Sequence, residues 1–203
     1  MGRPRKEDRP EDTVKLLLRA AEDAFGAQGF RDTRLGDIAA QVGIRRSSLL
    51  YHFGSKENIH SMVVERAFSE LRQVLASAVA PGESLEVQLD LLVDCLLNFA
   101  VERPGLVCVI LRQMVDPRGE GHTQIGSEFG GLIDAVEMMF RGMAGSRLRT
   151  EFPLRAAILQ LITAYLVRHA SGELANDLWG EIDQTKALAR HLLLSPAALA
   201  PVE

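Results

Sequence analysis

The sequence predicts an all-α chain in which a small N-terminal helical module is carried by a larger helical body. Three observations point there. Apolar residues recur at three- and four-residue spacing in almost every periodic segment, while no alternating strand pattern and no internal repeat is found. Glycine and proline punctuate the chain between those segments, at Gly29, Gly43, Gly54, Pro81-Gly82 and Pro104-Gly105. Charge is divided unevenly. Residues 1–60 hold 11 Lys and Arg against 9 Asp and Glu, whereas residues 61–203 hold 12 against 18. A mildly cationic module suits a phosphate-bearing partner; the acidic remainder does not.

From Pro10 to Gln28, the residues Val14, Leu17, Leu18, Ala21, Ala24 and Phe25 define a first helix that Gly29 ends. Leu35, Ile38, Ala39 and Val42 mark a short second helix, and Gly43 suits the sharp corner after it. Residues 46–52 form a third, with Leu49 and Phe53 facing inward; so short a helix must be clamped by its neighbours. Ser55 caps a long amphipathic helix through Ile59, Val63, Phe68 and Leu75. Further helices are expected near 85–101, 104–115, 124–143, 151–170 and 181–194, with a loop at 117–121 and a fraying tail after Leu194.

Several function classes find no support. Cys95 and Cys108 form no CxxC pair and have no histidine cluster, so neither a disulfide framework nor a zinc site is expected and a reducing cytoplasm fits best. The N-terminal residues MGRPRKEDRP lack the apolar stretch of a signal peptide, and no apolar run approaches the roughly 18 residues of a membrane span. The expectation is a soluble cytoplasmic protein. An all-helical enzyme is the first rival reading, but the histidines at 52, 60, 122, 169 and 191 are scattered and there is no HExxH, GxSxG or phosphate-cradling loop. Neither catalytic residues nor a metal or cofactor is predicted. The second rival is a helical interaction module that does not bind DNA.

Two short helices around a glycine turn, braced by a preceding helix, make a helix-turn-helix, whose second helix enters the DNA major groove. The stretch GFRDTRLGDIAAQVGIRRSSLLYHFGSKENI resembles the DNA-binding domain of the tetracycline-repressor (TetR) family of bacterial transcription regulators. The resemblance runs from about Val14 to Phe68, through Ala20-Ala21, Phe25, Gly29, Thr33, Asp37-Ile38-Ala39, Gly43, Leu49, Tyr51-His52-Phe53 and Ser55-Lys56-Glu57. Departures fall on the surface that would face DNA: Arg34 where a second Thr is common, Arg45 where a Ser often caps, Ser47 where Gly is frequent, and Leu50 where a first Tyr often sits.

Arg45, Arg46 and Ser47, near the start of the third helix, are the candidates for base edges, because arginine can donate a bidentate pair to guanine. Either arginine can instead meet phosphate or solvent. Ser48, Tyr51 and His52 are expected as phosphate anchors, Tyr51 also as a core aromatic with its hydroxyl at the rim. Lys56 sits at a helix start that favours an anion, and Thr33 and Arg34 sit equivalently, Thr33 as cap or phosphate donor. Arg3, Arg5 and Lys6 can lie along a minor groove or form a plain disordered tail. This divides the chain into an arm (1–9), a DNA-binding domain (10–54, motif about 34–53), a connecting helix (55–80) and a regulatory body (81–203).

For the body, the resemblance implies ligand binding and dimerisation. Leu159, Ile162, Tyr165, Leu166 and His169, with Leu188, His191 and Leu192, are the candidates for a two-fold helical interface. Phe99, Met114, Phe129, Met138, Met139 and Met143 are the candidates for lining an effector pocket, or are ordinary core residues. The function expected is a homodimeric repressor that a small molecule releases from a palindromic operator in double-stranded DNA.

Overall fold

The computed structural model describes residues 10–116 and 122–200 of the chain. Among these the only regular elements are helices, joined by one isolated bridge between Leu148 and Leu199. The first, α1 (Pro10–Asp32), buries Leu17, Leu18, Ala21, Ala24 and Phe25 along one face and is broken at Gly29. Helices α2 (Leu35–Gln41) and α3 (Arg46–Phe53) follow. Between them Gly43 takes φ 74°, a left-handed conformation that a side chain resists, and the Ile44 amide bonds back to the Ala39 carbonyl at 3.0 Å. The short α3 is clamped through Leu49 and Phe53, both buried in the core.

Helix α4 (Lys56–Ala78) starts on a cap: the Ser55 hydroxyl accepts from the Asn58 amide at 3.1 Å, and the Asn58 side chain donates to the Phe53 carbonyl at 2.8 Å. It then runs out of the N-terminal module along α5 (Leu85–Glu102) and α7 (His122–Ala144). Helix α6 (Pro104–Val115) lies against α1. Their contact admits no side chain, for a Cβ on Gly26 would stand 2.4 Å from the Gly105 carbonyl oxygen. Arg112 of α6 donates to the Gly26 and Ala27 carbonyls at 3.2 and 3.1 Å, satisfying groups that the end of a helix leaves open. α8 (Leu154–Ala170) and α10 (Thr185–Leu193) complete the body, with the short α9 (Leu174–Trp179) between them.

Two expectations fail here. The tail does not fray: Ala198 is fully buried, Arg149 donates its amide to the Ala198 carbonyl at 2.9 Å, and the chain is held through Ala200. Backbone bonds to 147–149 tie it down, a non-local pairing that periodicity cannot report. The segment expected as one helix over 181–194 starts at Thr185, and α9 precedes it. α9 buries only Ala175, so it has no apolar stripe to announce it.

Candidate nucleic-acid interface and apolar cavity

Around the buried Leu49 and Phe53, α3 and its N-cap carry Arg45, Arg46, Ser47, Ser48, Tyr51 and His52, all exposed. Among the described residues neither Arg45 nor Arg46 has a carboxylate partner, so both guanidinium groups keep their full donor capacity for another molecule. Tyr51 is 88% exposed and stands edge-on to His52, with ring centroids 5.7 Å apart. Its alternative reading as a core aromatic is therefore corrected; an aromatic so exposed contributes nothing to the core.

Arg34, Arg46 and Lys56 line a single surface groove between the starts of α2, α3 and α4, together with Asp37 and Leu50. Three helix starts contribute their positive ends to this groove, which adds to its three cations. Lys56 is also structural. Its ammonium donates to the Arg31 carbonyl at 3.0 Å and lies 4.8 Å from the centre of the Phe30 ring, leaving two of its three N–H groups uncommitted.

Thr33 is not available for either role expected of it. Only 3% exposed, it places its hydroxyl 2.7 Å from the Gly29 carbonyl and 3.1 Å from that of Ala24, while α2 begins on Arg34 without a side-chain cap. The hydroxyl proton serves the broken end of α1, not a phosphate. Beneath the same corner His60 is buried between Phe25 and Phe30, with ring centroids 5.2 and 5.3 Å away, and burial pushes its pKa down to about 4. Arg3, Arg5 and Lys6 lie outside the described residues.

In the body, α4 to α8 and α10 line a small cavity of ≈ 90 Å³ with an almost wholly apolar wall. Of the pocket candidates, Phe99 and Phe129 line it. The methionines do not: Met114 and Met138 are exposed, the latter 68%, and Met139 and Met143 pack against the core elsewhere. Ile162, Tyr165 and Leu166, expected between subunits, face this cavity instead. The Tyr165 hydroxyl donates to the Leu97 carbonyl at 3.0 Å, which fixes that ring inside the chain. Leu188 and His191 are exposed, and Leu159, His169 and Leu192 half-buried.

The cavity wall meets the N-terminal module at Arg103. This residue, 9% exposed, bridges the end of α5 and start of α6 to α1 and α4: its Nε lies 2.9 and 3.0 Å from the Glu22 carboxylate oxygens, Nη2 pairs with Glu22, and Nη1 pairs with Glu70. Burial alone would lower its pKa, but the bonds and charge of Glu22 and then Glu70 raise it. Arg66 supports Glu70 from one turn away at 2.7 Å.

Residues 17–60 match the family described as bacterial regulatory proteins, tetR family. The N-terminal module of the chain belongs to that family. TetR-family members are DNA-binding transcriptional regulators and not enzymes, and so is this chain. It is 28% identical over 170 residues to an HTH-type transcriptional repressor of Mycobacterium tuberculosis, covering 82% of each protein, and 27% identical over 179 residues to the nucleoid occlusion factor SlmA of Aliivibrio fischeri, covering 85% of each. The regulator RutR of Escherichia coli is 42% identical over 67 residues, which span 33% of this chain and 28% of RutR. In fold, the chain is similar to a TetR-like transcriptional regulator from Rhodococcus sp. RHA1, with TM-score 0.67 at 23% identity over 96% of this chain and 100% of that one. The fatty acid degradation regulator FadR of Bacillus halodurans superposes with TM-score 0.70 at 16% identity, over 93% and 97%.

Beyond this TetR-family module, the residues that sequence reasoning passed over are those that join the two parts. Arg103 sits in VERPG ahead of a proline that opens a helix, a signal for a boundary only. Its partner Glu22 is 81 positions away, and nothing local marks the pair.

Proposed function

We propose that this TetR-family regulator works as a homodimer that represses transcription from a palindromic operator and is released by a small molecule. The observation that carries the reading is the exposed surface of α3, where among the described residues Arg45 and Arg46 have no carboxylate partner and Arg46 joins Arg34 and Lys56 in lining one groove. In this reading α3 lies in the major groove with Arg45, Arg46 and Ser47 at base edges. Arg34, Ser48, Tyr51, His52 and Lys56 hold phosphates and set the register. An eight-residue helix reads few bases, which favours a second copy on a half-site about 34 Å away or a multiple of it.

Exposed apolar surface in the body supports a second copy binding there. Exposed apolar side chains occur on the last turn of α8, on α9, on the segment after it and on α10: Val167, Leu174, Leu178, Trp179, Ile182 (72% exposed) and Leu188. Left in water, so many large apolar residues in one part of the chain would be a liability. The cavity in the body supports effector binding, with residues 10–54 as the DNA-binding unit, 55–80 as its connection and 81–203 as the regulatory unit. The test is selection of bound genomic fragments with sedimentation of the complex. One tight palindrome occupied by two copies, with non-specific binding that falls steeply as salt rises, is the expected result. A monomer on an asymmetric site contradicts it.

A further inference from the structure

Among the described residues the cavity lining contains one charged side chain, Arg103. Arg103 and Phe99 also line an outward cleft beside Glu70, Gln73 and Glu102, so the cavity meets the surface at these two residues. The Phe99 ring packs on the guanidinium with its centre 5.5 Å from the charged carbon. Glu22 and Glu70, which hold Arg103, are not part of the cavity wall. A molecule inside therefore faces a cation and no anion.

We infer that the effector is a slender apolar molecule ending in a carboxylate or similar anion, and that Arg103 binds this end. The inference rests on the reading of the cavity as the effector site. A guanidinium has five N–H groups; Glu22 takes two and Glu70 one, leaving one on each terminal nitrogen. A carboxylate accepts such a pair, and in an apolar surrounding it needs a charge partner to enter at all. An ammonium end would meet a like charge and N–H groups that it cannot accept from. A neutral hydroxyl end accepts from the same N–H groups but without the charge and the second oxygen that make the carboxylate pair strong. The small volume of the cavity, ≈ 90 Å³, suits a single chain better than a bulky fused ring system.

The same contact connects the ligand to DNA binding. An anion on Arg103 competes with Glu22 of α1 and Glu70 of α4, and so loosens the tie between the DNA-binding module and the corner of α5 and α6. By reciprocity, anything that weakens the hold of Glu22 on Arg103 strengthens the hold on the ligand.

Calorimetric titration of the full-length protein with octanoate, 1-octanol and octylammonium tests this directly. Octanoate is expected to bind at least about tenfold more tightly than the other two. Arg103→Gln removes that preference while retaining the octanol affinity, which shows the cavity intact. Glu22→Gln tightens octanoate several-fold, an effect that no folding defect produces. Equal binding of octanol and octanoate by the natural protein overturns the inference and leaves the effector cavity standing, as does an unchanged preference in Arg103→Gln. Failure of all three probes to bind overturns both.

Discussion

At Arg46, the loss of one side chain separates reading from holding. Arg46→Ala is expected to relax base preference by about 1–3 kcal/mol at one operator position, checked by selection from a randomised duplex; unaltered selectivity assigns Arg46 to phosphate. Lys56→Ala is expected to weaken all duplexes alike and to lower the slope of log affinity against log salt by about 1. Because Lys56 also holds the Arg31 carbonyl, Tm is expected to fall slightly in the same variant. His60 predicts a pH dependence. Its pKa is about 4 when folded against 6.5 in the open chain, so the unfolded chain binds a proton that the folded one refuses. The stability is complete above pH 6.5 and declines as pH falls toward 4, by roughly 3 kcal/mol. Thermal melts of His60→Phe across this range are expected to lose that part of the acid limb. The segment from Arg45 to His52 was legible because exposed polar groups and buried Leu49 alternate at helical spacing. Thr33 was not, since the carbonyls that claim its hydroxyl belong to α1 and are presented only by the break at Gly29.

Between elements, the contact of α1 with α6 is the most sensitive to size. Gly26→Ala places a methyl against the Gly105 backbone, which cannot swing aside as a side chain tip would. A loss of about 1–3 kcal/mol is expected from chemical denaturation, and an unchanged midpoint would mean the helices separate freely. Helix positions in the chain were readable because capping residues and glycine turns are local: Ser55 starts α4 and Gly43 ends α2, as their types require. The tail and α9 were unreadable for the opposite reason. The burial of Ala198 depends on residues 147–149, some fifty positions earlier, and α9 turns most of its apolar residues outward.

As a whole, the molecule has one continuous core. The buried residues of α1 to α4 join those of α5 to α8 and α10, with Arg103 and Arg112 as polar ties across the join. The all-α class and the N-terminal helix-turn-helix could be read from periodicity and motif. The wall of the cavity could not, because an apolar residue beside a void follows the same period as one beside a neighbour. That is why the adaptable methionines were favoured over Leu92, Ile110 and Leu161, which line it. Helix α4 has its first turn at the proposed DNA groove, through Lys56, and Phe68 and Leu71 in the cavity wall. Its 23 residues make a rod about 34 Å long. Pivoting such a rod by about 5° would carry its tip sideways by about 3 Å, close to the 3.4 Å rise of one base pair. Leverage of this kind turns a displacement too small to rearrange a core into one step of the DNA ladder.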